Sequence, residues 1–305
     1  MTREVRPRLL FVTGKGGVGK SAIATALATA AARAQRRTLL VVQQHSDMRH
    51  PQLGVTAQYR PVAIEPNLAL CSVDGRTALK EYVHRTLPLP YLYDWFLDST
   101  ALKHFTEAAP GFDELMCLGK LYDLATDSKY DLVVFDAPST GHAALMLRVP
   151  RTTGAAVRTG PLHHNALKIQ LMLENDLQTR IVIVALTEVM AIREALELAS
   201  EVRGNLAMHL GPIIVNRVTR QLFDAAEIEV LRALQGPSPA VERLSRAAAA
   251  RFERATAEAQ YIAALRGERP WVVEVPQIVL PRHDPTALID GIVASLPTTF
   301  EAPHG

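Results

Sequence analysis

Gly14-Lys-Gly-Gly-Val-Gly-Lys-Ser21 is the segment from which the architecture of this chain can be read. The apolar run before it, residues 8–13, predicts a buried strand. The Ala-rich run after it, residues 21–32, predicts a helix. Strand, glycine-rich loop and helix in this order form the context in which the pattern G-x-x-x-x-G-K-[ST] binds phosphate. Glycines let backbone N–H groups turn inward around an anion, and the helix N-terminus adds partial positive charge.

Three side chains of this loop carry predicted roles. Lys20 supplies a positive charge for the β- and γ-phosphates of a nucleotide, and the Ser21 hydroxyl can ligate Mg²⁺. Lys15 is a second lysine, and a cation this close to the phosphates repels Lys20 unless an anion lies between them. The nucleotide-binding residues predicted here are Gly14, Lys15, Gly16, Gly17, Val18, Gly19, Lys20, Ser21 and Ala22.

A second motif spans residues 130–142, Tyr-Asp-Leu-Val-Val-Phe-Asp-Ala-Pro-Ser-Thr-Gly-His. Its apolar run ends in Asp136, and a carboxylate at the end of a buried strand can hold Mg²⁺ beside the phosphate loop. Ligands of open α/β sheets bind at these strand ends. Ser21 and Asp136 are therefore the predicted metal ligands, and Gly141 provides the freedom that a phosphate-sensing hinge needs.

The rest of the chain predicts a doubly wound α/β domain covering residues 1–305. Continuous Val/Ile/Leu-rich runs alternate with helical patterns, as expected for a mostly parallel sheet covered on both faces. These runs are 38–42, 68–73, 131–135, 181–186, 212–215 and 271–275. Two segments, about 76–127 and 221–267, contain helical patterns instead, and we expect them to pack together as a helical layer beside the sheet.

Composition excludes several classes of function. Lys and Arg total 33 and Asp and Glu total 31, without a basic stripe interleaved with aromatic residues, which argues against nucleic acid as a partner. Cys71 and Cys117 are far apart, so we expect no disulfide framework and a reducing cytoplasm. No apolar run is long enough to cross a bilayer, and the first residues lack the apolar core of a signal peptide. We therefore expect a cytoplasmic protein without stable membrane insertion.

Both motifs resemble those of a known family. The loop KGGVGKS is similar to the deviant Walker A loop of the ATPases that include the arsenite-pump ATPase, the guided-entry ATPase for tail-anchored proteins, MinD, ParA and the nitrogenase iron protein. The switch II pattern of the arsenite-pump and guided-entry (ArsA/GET3) branch is close to DTAPTGH. It resembles the residues Asp136, Pro138, Ser139, Thr140, Gly141 and His142. The closest fit is to the single-domain bacterial members.

The resemblance implies a P-loop NTPase fold of the SIMIBI type, Mg²⁺-dependent binding of ATP and ADP, and ATP hydrolysis. It implies a dimer, either of two copies or with a related ATPase subunit, in which Lys15 acts on the partner's nucleotide like an arginine finger. Asn216 would contact adenine, Pro276 and Ile278 would lie in the loop over the base, and the helical layer would hold a protein client.

The chain departs from the family after its second strand. Relatives read D-P-A there, with the Asp positioning the attacking water, whereas alignment from the strand places Gln44 at that position. Glutamine can orient water but cannot take its proton, and Asp47 can substitute only if the loop folds back. The predicted catalytic residues are therefore Lys15, Lys20, Gln44 and Asp47, with slow hydrolysis expected. The absence of cysteine beside Asp136 excludes an iron–sulfur cluster.

Three functions remain open at this point. The first is an ATP-driven dimeric switch that captures or releases a protein client. The second is a slow or inactive regulatory subunit that binds ATP and depends on a related partner ATPase. The third is a positioning ATPase of the ParA/MinD type, which the lack of a basic patch and of a basic amphipathic C-terminal helix disfavours.

Overall fold

One mixed sheet organises the part of the chain that the computed structural model describes, which comprises residues 7–43, 49–86, 111–233, 238–268, 271–280 and 284–296. Its strand order is β3-β4-β2-β5-β1-β6-β7-β8, and every neighbouring pair is parallel except β3 with β4. The strands are β1 (Leu9–Gly14), β2 (Thr38–Gln43), β3 (Val62–Glu65), β4 (Leu68–Val73), β5 (Leu132–Ser139), β6 (Thr179–Ala185), β7 (Leu210–Val218) and β8 (Val272–Pro276).

Helices cover both faces of the sheet. They are α1 (Lys20–Arg33), α2 (Gly75–Thr86), α3 (Phe112–Thr126), α4 (Thr140–Ala156), α5 (Pro161–Glu174), α6 (Val189–Arg203), α7 (Ala225–Ala233), α8 (Pro239–Glu268) and α9 (Pro285–Val293). Two separate apolar cores result, one under α1 and α9 and the other under α2 to α6 together with the end of α8. The doubly wound α/β fold predicted from the continuous apolar strands is thereby confirmed.

The two ends of the described chain meet on one face of the sheet. The Ala-rich helix α1 packs against α9, and the Nη2 atom of Arg33 lies 2.6 Å from the Asp290 Oδ1 atom. Ile289 and Ile292 of α9 are buried in the same core as Ile23 of α1. The helix that follows the phosphate loop is therefore covered by the helix farthest from it in sequence.

The central strand β1 places the two sequence motifs side by side. It pairs with β5 on one side and β6 on the other, with Val12 in register with Asp136 and Gly14 with Val184. Phe11 and Phe135 pack edge to face beneath this region, with ring centroids 5.2 Å apart. The phosphate loop and the carboxylate of the second motif consequently share the same edge of the sheet.

Strand β3 is the element that the sequence patterns did not predict. It has four residues with alternating burial, and it pairs only with β4, as an edge strand does. Pro66 and Asn67 connect the two strands, and Asn67 has a φ of 62°. Proline followed by a residue with positive φ is the signature of a type II turn, so this dipeptide is the signal that could have revealed the hairpin.

Among the described residues, the two helical segments lie over the same sheet face but pack on different elements. In the segment 76–127, α2 packs on α3, and α3 packs on α4 and α5; residues 87–110 lie outside the described ranges. In the segment 221–267, α8 packs on α6, α7, β7 and β8. Helices α4 to α6 therefore stand between the two groups. None of the described helices combines the length and the apolar character that crossing a bilayer requires.

Candidate nucleotide-binding site

The phosphate loop is shaped by glycines at positions of close approach. A Cβ atom on Gly14 would lie 2.1 Å from the Val184 carbonyl oxygen of β6, which is far inside van der Waals contact. Gly17 and Gly19 have φ values of 84° and 92°, a backbone region that other residues rarely adopt. A Cβ atom on Gly19 would also lie 2.4 Å from the Asn216 Nδ2 atom. The motif glycines are thus required by the geometry of the loop at Gly14 and Gly19.

Lys20 begins α1 with its ammonium group turned back over the loop. Its Nζ atom donates a hydrogen bond to the Lys15 carbonyl oxygen at 3.1 Å. Burial lowers the pKa of Lys20, and the nearby carboxylate of Asp136 partly opposes that shift. A half-buried ammonium bonded to one neutral carbonyl is a group that gains from an anionic partner, which the β- and γ-phosphates would supply.

Ser21 and Asp136 lie side by side. Burial raises the pKa of Asp136, while the Ser21 side chain and the charge of Lys20 act in the opposite direction. A hydroxyl and a carboxylate are the hard oxygen ligands that Mg²⁺ accepts, with nucleotide phosphates and water filling its remaining positions. These two residues fit the metal and would hold it.

Switch II, which comprises residues 136–142, is half strand and half helix. Strand β5 continues to Ser139, and α4 begins at Thr140. The Thr13 hydroxyl of β1 donates to the Pro138 carbonyl oxygen at 2.8 Å, which ties the segment to the strand that carries the phosphate loop. Gly141 lies in the first turn of α4, and a Cβ atom there would have nothing within 4 Å, so the residue has open space around it.

Two carboxylates from neighbouring helices bind the start of α4. The His142 Nε2 atom lies 2.8 Å from the Glu114 Oε1 atom of α3. The Thr140 hydroxyl donates to the Glu194 Oε2 atom of α6 at 3.3 Å. Switch II is therefore connected both to α3, within the first helical segment, and to α6.

Lys15, the second lysine of the loop, forms an ion pair that does not involve Lys20. The Lys15 Nζ atom lies 2.7 Å from the Glu194 Oε1 atom, with 37% of the Lys15 side chain and 30% of the Glu194 side chain exposed. Lys20 bonds to the backbone carbonyl of Lys15, so the two ammonium groups have different partners. The repulsion expected between them is relieved by the carboxylate of Glu194.

Asn216 has a structural contact that the sequence did not predict. Its Nδ2 atom donates to the Val18 carbonyl oxygen at 2.9 Å, and its Oδ1 atom accepts from the backbone N–H of Arg217. The residue is 5% exposed and lies against Gly19. Asn216 thus braces the phosphate loop from β7, while its contact with adenine stays a prediction.

Of the remaining predicted residues, three are described by the structure and two lie outside the described ranges. Pro276 ends β8 beside Val218, and Ile278 packs against Gly291 of α9. Ala22 lies in α1, against the core that α1 shares with α9. Gln44 and Asp47, the predicted water-positioning residues, and His45 beside them lie outside the described residues.

Three residues that bind the two motifs were missed from sequence: Thr13, Glu114 and Glu194. Each is an ordinary residue of its strand or helix. Glu194 occurs in Glu-Ala-Leu-Glu-Leu, whose spacing predicts only an amphipathic helix. No local signal marks these residues, because their partners are distant in the chain.

Comparisons with known proteins identify relatives of this chain among ATPases. A family model described as anion-transporting ATPase matches residues 7–161. ATPase BagA of Mycobacterium tuberculosis is 30% identical over 245 residues, covering 73% of this chain and 70% of that protein. The putative arsenical pump-driving ATPase of Halobacterium salinarum is 26% identical over 251 residues, 75% of this chain and 38% of that protein. ATPase ASNA1 homolog 1 of Paramecium tetraurelia is 30% identical over 148 residues, 46% of this chain and 43% of that protein.

Proposed function

Because this chain belongs to the ArsA/GET3 family of ATPases, we propose that it works as a Mg²⁺-dependent dimeric switch. In this proposal ATP draws two protomers together, hydrolysis separates them, and the nucleotide state decides whether a protein client is captured or released. The partner protomer is a second copy or a related ATPase subunit.

The observation that carries the proposal is the convergence of Lys20, Ser21 and Asp136 at one edge of the sheet. Phosphoryl transfer needs little covalent chemistry from the protein; it needs positioning and compensation of charge. Mg²⁺, when bound, would neutralise charge on the β- and γ-phosphate oxygens. Lys20 would bind the same phosphates, and the backbone N–H groups of the phosphate loop would orient them.

A series of contacts from the metal ligand Asp136 to the first helical segment, residues 76–127, supports the proposal that the protein binds a client. Switch II contains the metal ligand Asp136 and, six residues later, His142. His142 binds Glu114 near the start of α3, so a movement of switch II on phosphate binding would displace α3. This route couples the nucleotide to the segment 76–127, where we place the client.

The first prediction tests nucleotide binding through Lys20→Ala. Loss of one charge-assisted contact to phosphate should cost roughly 1.5–3 kcal/mol, which is at least about a tenfold loss of ATP affinity. Isothermal calorimetry with ATP and Mg²⁺ measures it. Lys129→Ala, which removes an exposed lysine from the turn before β5, is the matched control and should bind as the wild type does. Equal affinity for Lys20→Ala and wild type would sink the phosphate-loop assignment.

The second prediction concerns the dimer. Acting on the partner's nucleotide, Lys15 should matter for turnover far more than for binding. Lys15→Ala should lower the ATPase rate by about 10³-fold, in the range of an arginine finger, and leave ATP affinity within a few-fold. Sedimentation velocity should show the wild type shifting from monomer to dimer with a non-hydrolysable ATP analogue and Mg²⁺. A protein that stays monomeric in every nucleotide state, alone and with its natural partners, contradicts the proposal.

A further inference from the structure

Glu194 on α6 links two parts of the nucleotide site through one carboxylate. Its Oε1 atom lies 2.7 Å from the Lys15 Nζ atom, and its Oε2 atom accepts a hydrogen bond from the Thr140 hydroxyl at 3.3 Å. Lys15 belongs to the phosphate loop, and Thr140 belongs to switch II. A movement of either segment therefore changes the contacts of the same side chain.

We propose that Glu194 is a positioning residue that holds Lys15 within its own protomer until nucleotide binding moves switch II. The inference rests on the dimeric switch proposed above. An ammonium group that is ion-paired with Glu194 cannot also neutralise a phosphate on a partner protomer, so the pair must break before the dimer closes. The carboxylate and the phosphate compete for one cation, and the carboxylate stabilises the open form.

In this proposal, nucleotide binding weakens the Lys15–Glu194 ion pair in two ways. The Lys15 carbonyl oxygen is the hydrogen-bond acceptor of the Lys20 ammonium, and phosphates that attract Lys20 remove that contact. On the other side, a displacement of Thr140 removes a hydrogen bond from Glu194 and frees the carboxylate to turn. Lys15 is then released when the phosphate site is occupied and switch II has moved.

The size of the effect follows from the exposure of the pair. A partly exposed ion pair shifts an equilibrium by about 1.5- to 5-fold. Closing a homodimer breaks two such pairs, so removing the carboxylate should lower the dimer dissociation constant by the square of this factor, about 2- to 25-fold. Glu194→Gln is the suitable change because the amide oxygen can still accept from Thr140 while the charge is gone.

The experiment measures dimerisation by sedimentation with Mg²⁺ and a non-hydrolysable ATP analogue. Glu194→Gln should dimerise more tightly than wild type. Glu197→Gln is the matched control, since Glu197 lies on the same helix, is exposed and pairs with Arg193 at 3.0 Å; it should dimerise as the wild type does. The Lys15→Ala protein already lacks the ion pair with Glu194. Adding Glu194→Gln to it should therefore cause no further change in dimerisation.

The Lys15→Ala protein distinguishes the effect of the Lys15–Glu194 ion pair from a general structural role of α6. The inference is overturned if Glu194→Gln dimerises no more tightly than wild type, or if it strengthens dimerisation equally without Lys15. A wild-type protein that does not dimerise with the analogue overturns the proposed switch and this inference together. A wild-type dimer whose dissociation constant is insensitive to Glu194→Gln overturns the inference alone.

Discussion

At the scale of single residues, the phosphate loop contains two glycines that differ sharply in their surroundings. Gly14 is pressed against the backbone of β6, where a Cβ atom would meet the Val184 carbonyl oxygen at 2.1 Å. Gly16 is exposed, and a Cβ atom there would have nothing within 4 Å. The same substitution should therefore be costly at Gly14 and nearly neutral at Gly16.

Gly14→Ala should lower the free energy of unfolding by about 1–3 kcal/mol or more, because β1 and β6 must separate to admit the methyl group. Gly16→Ala should change it by less than about 0.5 kcal/mol, as at other exposed positions. Chemical denaturation without nucleotide measures both. Equal stability of the two variants would mean that the loop is not tightly packed against β6.

Sequence reasoning predicts those site residues that a local motif specifies. The glycines, Lys20, Ser21 and Asp136 were all predicted, because a phosphate loop and a strand-end carboxylate have fixed local spacing. The family resemblance and the ATPase activity that it implied are confirmed by the matches to anion-transporting ATPases. Glu194 and the bracing role of Asn216 were not predicted, since both depend on contacts between distant strands and helices.

At the scale of elements, Glu81 joins α2 to α3 and to the chain before β3. It accepts hydrogen bonds from Lys120, Tyr59 and Arg85, and the Lys120 side chain is only 13% exposed. Burial alone would raise the pKa of Glu81, but these three hydrogen bonds outweigh it and lower the pKa to about 2. The charged carboxylate of Glu81 therefore stabilises the packing of α2 on α3.

Glu81→Gln should destabilise the fold by roughly 1–3 kcal/mol at pH 7, because Lys120 loses its charged partner in a mostly buried position. A carboxyl with a folded pKa of about 2 and an ordinary value of 4.5 stabilises above pH 4.5. That contribution is lost as the pH falls toward 2, so the gap between variant and wild type should narrow over this interval. Denaturant unfolding between pH 7 and pH 2.5 measures it.

The matched control for this prediction is Glu242→Gln on α8. Glu242 pairs with Arg246 at 3.7 Å, and both side chains are more than half exposed, at 60% and 71%. Its loss should change stability by less than about 0.5 kcal/mol at any of these pH values. A constant gap for Glu81→Gln down to pH 2.5 would show that the ionised carboxylate is not the stabilising group.

Element prediction succeeded for the continuous apolar runs and missed the short strand β3. Strands buried on both faces have continuous apolar sequences, and each of the predicted runs overlaps a strand of the sheet. Edge strand β3 has only four residues, Val-Ala-Ile-Glu, and its stability comes from pairing with β4. The separation of the helical segments by α4 to α6 is likewise a consequence of strand order, which no helix periodicity encodes.

At the scale of the whole molecule, we expect turnover to depend on the residues that follow β2. The chain contains the predicted metal and charge groups, whereas alignment from β2 predicts Gln44 at the position of the family's water-positioning Asp. We expect slow basal hydrolysis that rises when a client or a related subunit contacts residues 43–50. Gln44→Asp should raise the basal rate, by up to about 10²-fold if a carboxylate acts there as a base.

Steady-state ATPase assays distinguish the two candidates for that role. If Asp47 is the working group, Asp47→Asn will abolish turnover and Gln44→Ala will not. A fast unassisted rate that survives both substitutions would assign water positioning to a different residue. Asp127→Asn, in the turn before β5, is a control that changes a carboxylate away from the site and should leave the rate unchanged.

The packing of α9 on α1 has a consequence for how the protein is made. Helix α1 ends at Arg33 and its cover begins at Pro285, so nearly all of the chain is synthesised between them. At about 5–20 residues per second, roughly 10–50 s pass on the ribosome before the covering helix exists. During that time the part of α1 that packs on α9 lacks this contact. We therefore expect a nascent chain to complete the packing around α1 only after α9 has been synthesised.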